Sequence, residues 1–226
     1  MKTLIILLLL ISSSHAEDSI VYIGDSQSVG HLGKFIYNHL KRSSPNKEIH
    51  VYGIGSSSPR HWSAPINSKN GSWLCERSGR YNDQRNIPLR SKVCQGDNSK
   101  SALSYLVQDK PEWVIFQFLG NSVGFNEFYI SKKVKQMLAQ IGDQKCLFIT
   151  SPPYFHALVE RNKLRFKTEQ YFLKAIAKRC EVAQGMTEQN FNIFSKDSGH
   201  YLKDKIHLSF KGAEIFFKQF QHKIPQ

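Results

Sequence analysis

Residues 19–28 read SIVYIGDSQS, a short apolar run that ends in glycine and is followed at once by polar residues. Residues 19–24 have the length and composition of a buried strand. Residues 28–42 then carry apolar side chains at helical spacing, so only a few residues separate strand from helix. A buried strand that leads directly into a helix is typical of a parallel sheet covered by helices.

The same alternation continues along the chain. It predicts an α/β fold, a three-layer α/β/α sandwich with a central, mostly parallel, flavodoxin-like sheet. Further strands are predicted over residues 49–54, 113–119 and 147–150, and further helices over residues 101–110, 131–141, 161–180 and 209–222. Residues 56–100 break the pattern, since they are rich in Ser, Asn, Gly and Arg without clear periodicity, and predict a long loop.

The composition is that of a globular domain, with 40% hydrophobic and 22% charged residues among 226. A chain of this length buries roughly 70% of its unfolded surface, which suits a single domain over residues 17–226. Lys and Arg outnumber Asp and Glu by 31 to 18, a formal net charge of +13. No basic run resembles a nucleic-acid arm, so the charge indicates attraction to an anionic polymer or membrane surface, or simply a solvated face.

The N-terminus predicts a secretory signal over residues 1–16. A short positive start precedes the apolar residues 4–11, and Ser14-His15-Ala16 offers small residues for cleavage after Ala16. An apolar run this short does not cross a hydrocarbon layer, which needs about 20 residues. We therefore expect a secreted or periplasmic protein.

Four cysteines, an even number, agree with an oxidising compartment and predict disulfides. No CxxC or HxxxH spacing occurs, so neither a structural metal nor a cofactor is expected. Three pairings are possible. The favoured one joins Cys75 to Cys94, which ties down the long loop, and Cys146 to Cys180 at one edge of a βα unit.

Polar groups follow the predicted strands at the edge where their carboxyl ends meet. Ser26 comes directly after the first strand, at the start of a helix whose free N–H groups suit a nucleophile. The second strand is followed by Gly53 and Gly55, either of which lets a backbone N–H approach a ligand. The third is followed by Asn121, an amide donor.

A base for Ser26 is predicted near the C-terminus. Asp204 precedes His207 by three residues, so that the carboxylate can orient the imidazole while the other ring nitrogen faces a serine. Asp197 and His200 repeat this spacing and are the alternative pair. The sequence Leu208-Ser209 and the amphipathic helix that follow favour His207.

The order of these blocks resembles the SGNH hydrolases, also called GDSL-type esterases. The resemblance rests on GDSQS at 24–28, GIGSSSP at 53–59, FLGNS at 118–122 and DKIHLSFKG at 204–212. It implies Ser26 as nucleophile, His207 as base and Asp204 as its partner. It also implies an oxyanion hole of the Ser26 N–H, the Gly55 N–H (with Gly53 as rival) and the Asn121 amide.

The resemblance implies a serine ester hydrolase, and we expect it to remove short acyl groups from a glycan or cell-wall polymer. A lipase or lysophospholipase-like esterase, an O-acyltransferase with the same triad, and a glycan-binding module on a degenerate scaffold are the alternatives. Within the loop, Arg60, Trp62 and Trp73 are candidates for substrate binding or for anchoring the loop.

Overall fold

The computed structural model describes residues 19–78, 89, 93–95 and 99–226, so the predicted signal over residues 1–16 lies outside it. The described strands form one parallel five-stranded sheet in the order β2-β1-β3-β4-β5. The strands are β1 (Ser19–Gly24), β2 (Glu48–Gly53), β3 (Trp113–Gln117), β4 (Lys145–Ile149) and β5 (Glu181–Ala183).

Helices connect the strands and cover both faces of the sheet. They are α1 (Ser26–Val29), α2 (His31–Ser43), α3 (Pro59–Trp62), α4 (Lys69–Ser78), α5 (Ala102–Leu106), α6 (Glu127–Gln140), α7 (Val159–Ile176), α8 (Glu188–Lys196) and α9 (Phe210–Phe220). Short 3₁₀ turns lie at Gly120–Ser122, Ser198–His200 and Gln221–Lys223.

Two apolar clusters form the core, one on each face of the sheet. Successive residues of β1 alternate between them, with Val21 and Ile23 in one and Ile20 and Tyr22 in the other. The first cluster includes residues of α3 to α7, and the second includes residues of α2, α8 and α9. A strand that is buried on both sides must be apolar throughout, which is why β1 reads as a continuous hydrophobic run. The predicted three-layer α/β fold is confirmed.

The register brings the first three strands to an end at one level. Gly24, the last residue of β1, is aligned with Gly53 of β2 and with Gln117 of β3. Because β1 has β2 on one side and β3 on the other, the strand order changes direction at β1. The turn after β1 therefore lies at the point where open α/β sheets bind their ligands.

Part of the predicted loop over residues 56–100 is helical, because polar residues provide caps that a search for apolar periodicity does not register. The Ser58 backbone N–H donates to His61 Nδ1 at 3.0 Å, and Pro59 occupies the first helical position of α3. The Gly71 N–H donates to Ser68 Oγ at 3.3 Å at the start of α4.

Disulfides join Cys75 to Cys94 and Cys146 to Cys180, as the favoured pairing predicts. Cys146 lies within β4, and Cys180 directly precedes β5, so the second bridge ties neighbouring strands at the edge of the sheet. Among the described residues, no helix has the length and apolar character needed to span a membrane.

Candidate active site

The turn after β1 holds Ser26 at the amino end of α1. The Asp25 carboxylate caps this helix by accepting the Gln27 N–H at 3.0 Å, and the Ser28 hydroxyl donates to the Asp25 carbonyl at 2.6 Å. The turn is so tight that a Cβ on Gly24 would lie 2.4 Å from the Ser28 hydroxyl oxygen. Only glycine fits there, which explains the glycine that ends β1.

Ser26 faces a histidine from the other end of the chain. The Ser26 hydroxyl donates to His207 Nε2 at 2.8 Å, and His207 Nδ1–H donates to Asp204 Oδ2 at 2.5 Å. These two hydrogen bonds link a serine hydroxyl to an imidazole and the imidazole to a carboxylate. This is the arrangement that activates a hydroxyl for nucleophilic attack. The structure thus brings together the three residues that the sequence predicts.

The Asp204–His207 turn fixes the orientation of the carboxylate. Lys205 has a φ of +58°, and this left-handed residue lets the N–H groups of Ile206 and His207 both donate to Asp204 Oδ1 at 2.9 Å. Partial burial alone would raise the pKa of Asp204, but the hydrogen bonds from the His207 ring and from these two N–H groups outweigh it and lower the pKa. Asp204 is therefore ionised while it holds the ring.

Gln27 ties this turn to the one that carries Ser26. Its side-chain amide donates to the Ile206 carbonyl at 3.1 Å, one residue before the imidazole. On the far side, the Leu202 N–H donates to the His207 carbonyl at 2.8 Å, and Ser209 caps the following helix α9. His207 is consequently held from both sides of its backbone.

The alternative histidine is engaged elsewhere. His200 is buried, with Nδ1 bonded to the Phe194 carbonyl at 2.9 Å and Nε2 3.2 Å from Asp197 Oδ2. Both ring nitrogens are occupied, and the ring stacks on Phe194. The two Asp-x-x-His pairs thus differ in position, and only His207 reaches Ser26.

The candidate oxyanion donors share a cavity of about 230 Å³ with Ser26 and His207. Gly55 and Asn121 both line this cavity, whereas Gly53 is enclosed in β2 with Val29 packed against it. The Asn121 amide donates one hydrogen to the Ser57 carbonyl at 3.0 Å. A primary amide has a second N–H, which remains to serve a ligand.

Ser57 joins three parts of the site, a role that the sequence does not indicate. It is fully buried, its hydroxyl donates to the Gly24 carbonyl at 3.1 Å, and its carbonyl accepts the Asn121 amide. The Trp62 indole N–H in turn donates to the Ser57 hydroxyl at 3.0 Å. Trp62 is 0% exposed, so its contacts are those of a loop anchor, one of the two roles that the sequence leaves open for it. Its helix α3 turns that ring into the core, against Phe118.

Arg60 and Trp73 lie outside the cavity that contains Ser26. Trp73 stacks on the His61 ring with centroids 4.2 Å apart. Arg60 Nε lies 3.2 Å from Nε2 of that ring, and its guanidinium covers Phe125. Burial, followed by the charge of Arg60, lowers the pKa of His61 to about 4, so the ring is neutral in this stack. These contacts are those of a loop anchor.

Other residues complete the cavity from beyond β4. Ser151, Pro152 and Tyr154 follow that strand at the same edge of the sheet, and α7 contributes Arg161 and Arg165. Ser151, Pro152 and Tyr154 come directly after a predicted strand, and this position is the sequence signal that indicates them as site residues. Within the described ranges, no group of three or more His, Cys, Asp or Glu side chains is arranged to hold a metal ion.

No protein-family model matches the sequence, and no curated protein matches it. Solved structures do match. A lipase/acylhydrolase from Enterococcus faecalis is 15% identical with a TM-score of 0.58, over 92% of this chain and 95% of that one. A protein described as an SGNH hydrolase from Slackia heliotrinireducens is 13% identical with a TM-score of 0.55, over 92% and 100%.

An acetylxylan esterase from Geobacillus stearothermophilus is 14% identical with a TM-score of 0.52, over 92% of this chain and 94% of that one. Identity at this level is informative about architecture, and the three proteins share the sheet and helices over nearly the whole described chain. The chain has the SGNH hydrolase fold.

Proposed function

We propose that the protein is a secreted serine ester hydrolase that removes short acyl groups from a glycan. The observation that carries the proposal is the pair of hydrogen bonds from Ser26 to His207 and from His207 to Asp204, at 2.8 and 2.5 Å. A hydroxyl in contact with an imidazole that is itself held by a carboxylate is the arrangement that acyl transfer requires.

In the proposed mechanism, His207 Nε2 takes the proton from the Ser26 hydroxyl as the oxygen attacks the ester carbonyl carbon. The resulting oxyanion accepts hydrogen bonds from the backbone N–H groups of Ser26 and Gly55 and from the free N–H of Asn121. His207 then gives its proton to the leaving alcohol. Water, deprotonated by the same nitrogen, attacks the acyl-enzyme and restores Ser26.

The size and the setting of the cavity support a short acyl group. Its volume of about 230 Å³ corresponds to about eight water molecules at ~30 Å³ each, which suits an acetyl ester and part of its sugar. One structural neighbour is an acetylxylan esterase. The apolar N-terminus and the two disulfides support a location outside the cytoplasm, with the signal cleaved after Ala16.

A longer acyl chain is the second candidate, because an apolar groove opens beside Ser26. It has a volume of about 520 Å³ and is lined by Val29, Leu202 and Leu208 among others. Apolar walls of this kind suit a hydrocarbon chain. This would make the protein a lipase-like esterase that uses the same three residues.

A panel of nitrophenyl esters tests the proposal, with acetylated xylan and peptidoglycan beside it. We expect acetyl esters to be hydrolysed faster than butyryl and long-chain esters, and a serine-reactive phosphonate to label Ser26. The Ser26→Ala variant should lose both turnover and labelling.

Ser28→Ala is the matched control, because that hydroxyl lies two residues away and, among the described residues, bonds only within the turn. It should be labelled as the parent protein is. Equal labelling of Ser26→Ala and the parent would refute the hydrolase, and a preference for long-chain esters would select the second candidate.

A further inference from the structure

The cavity beside Ser26 has a cationic wall. Arg161 and Arg165, which lie one turn apart on α7, both line it together with Tyr154. The acidic residue that lines the same cavity is Asp25, which is buried beneath Ser26 and caps its helix. Whether the cavity binds an anion therefore depends on whether either guanidinium is free of a carboxylate partner.

Arg165 is committed to the fold. Its side chain is 2% exposed, and its guanidinium forms an ion pair with Glu169 Oε2 at 2.9 Å. Its Nε donates to the Pro152 carbonyl at 3.0 Å, and its Nη2 also donates to the Ser151 carbonyl. A guanidinium that is neutralised by a carboxylate and bonded through Nε and Nη2 fixes the loop after β4 and attracts an anion less than an unpaired guanidinium does.

Arg161 is in the opposite situation. It is exposed, and among the residues that the structure describes no carboxylate lies within ion-pair distance of it. Its neighbour Glu160 is paired with Lys163 at 2.8 Å. The guanidinium lies over the Tyr154 ring at 4.9 Å, a contact that holds the cation in place without cancelling its charge.

We infer that Arg161 binds a carboxylate of the substrate, so that the ester cleaved at Ser26 is carried by an acidic sugar of the uronic acid type. This inference rests on the proposed function and narrows its substrate class. A planar guanidinium binds a carboxylate through two parallel N–H···O bonds, which fixes orientation as well as position. A fixed carboxylate at one end of the cavity would present a neighbouring acetyl ester to Ser26.

The net charge of the chain supports the same substrate. A formal charge of +13 attracts a polyanion from solution, and this attraction weakens as salt is added. Arg161 then binds the substrate's carboxylate specifically, at the wall of the cavity. A phosphate on the sugar would use the same guanidinium, and the experiment below separates the two anions.

The test compares acetylated methyl glucuronoside, acetylated methyl glucoside and an acetylated glucose phosphate as substrates. The first two differ only in the carboxylate. We expect the protein to prefer the glucuronoside, and Arg161→Gln to lower kcat/KM for it by about 10- to 100-fold with little change for the glucoside. Arg161→Lys should recover part of the loss. Lys167→Gln, at an exposed position on the same helix, is the control and should behave as the parent protein.

Binding of the same sugars to Ser26→Ala, measured by calorimetry, tests the inference without turnover. Tighter binding of the glucuronoside that is lost in the Ser26→Ala, Arg161→Gln double variant would support it even if the hydrolase proposal fails. Equal binding of glucuronoside and glucoside, or an equal effect of Arg161→Gln on both, would refute the inference while leaving the hydrolase intact. Preference for the sugar phosphate would show that Arg161 recognises a phosphate, which would refute the inference of an acidic sugar.

Discussion

Asp25 and Ser26 are neighbours in the chain, yet their side chains lie in opposite environments. Ser26 faces the cavity, whereas Asp25 is 2% exposed and points into the turn to cap α1. Desolvation raises the pKa of Asp25 to about 6, although the N–H groups of Gln27 and Leu119 and the charge of His207 oppose the shift. The carboxyl beneath the candidate nucleophile thus resists ionisation.

This shift predicts a pH-dependent penalty. The folded state binds the Asp25 proton more tightly than the unfolded state, whose pKa is 3.8, so stability falls as the pH rises from about 4 to 6. Asp25→Asn keeps the cap and removes the charge. Its unfolding free energy, relative to the parent protein, should therefore rise by about 2 kcal/mol between pH 4.5 and 7.5.

Urea unfolding at the two pH values measures this difference. Asp109→Asn, a change at an exposed carboxylate, is the control and should show no such trend. A difference between Asp25→Asn and the parent that does not change with pH would contradict the prediction.

Asn121 makes a second prediction at the level of single residues. Asn121→Ala removes one proposed oxyanion donor, and such a loss typically lowers kcat by about 10²–10³. Because the lost bond to the Ser57 carbonyl is partly solvated, the variant should remain folded. Asn126→Ala removes a helix cap of α6 instead and should cost about 1 kcal/mol of stability while leaving ester turnover unchanged. Normal turnover in Asn121→Ala would remove this residue from the mechanism.

The sequence predicts some site residues and not others for a physical reason. Ser26 and His207 are polar residues at strand ends or turns, in an order that topology brings to one edge. Ser57 and Trp62 act through burial and backbone contacts, which no residue pattern displays. Arg161 is one basic residue among many on an exposed helix face, and only the fold shows that it borders the cavity.

At the level of elements, the predicted helix over residues 28–42 is two helices that meet at Gly30. The break lets α1 present Ser26 while α2 packs along the sheet. A Cβ on Gly33 would lie 1.8 Å from the Ser28 carbonyl oxygen, whereas a Cβ on Gly30 would have its nearest neighbour at 3.6 Å. The two helices therefore approach closely at one glycine and not at the other.

These distances predict different outcomes for two alanine variants. Gly33→Ala should lower the free energy of unfolding by about 1–3 kcal/mol or more, because backbone atoms must move to admit the methyl group. Gly30→Ala has an ordinary φ of −79° and should change stability by no more than about 1 kcal/mol. Chemical denaturation of both variants checks this. A Gly33→Ala protein as stable as the parent would contradict the described packing.

The sequence predicts four of the five described strands, β1 to β4, to within two residues at each end. β1 and β3 are buried on both faces and read as apolar runs. β5 has three residues, begins with the exposed Glu181 and lies at the edge of the sheet, so the pattern that marks a buried strand is absent from it. Helix α3 begins at a capping residue and a proline and has no apolar stripe, so a pattern of apolar residues does not predict it either.

On the scale of the whole molecule, the disulfides close two loops of different length. Cys75 and Cys94 are 19 residues apart, and Cys146 and Cys180 are 34 apart. The loop-closure entropy of the unfolded chain predicts that each bridge stabilises the fold by about 3–4 kcal/mol. A Cys75→Ala, Cys94→Ala variant should lose that amount and retain its kcat at temperatures where it is folded. Loss of kcat in the folded variant would show that this bridge also shapes the site.

The hydrogen bond between Ser26 and His207 joins positions 181 apart in the chain. A polypeptide whose C-terminal segment is still held by a ribosome or a translocase carries the hydroxyl but no base. Under the proposed mechanism, such a chain is inert toward esters, however well its first strands have paired. Turnover during refolding would accordingly time the closure of this sequence-distant contact. Its lag behind the change in tryptophan fluorescence would separate collapse of the core from completion of the site.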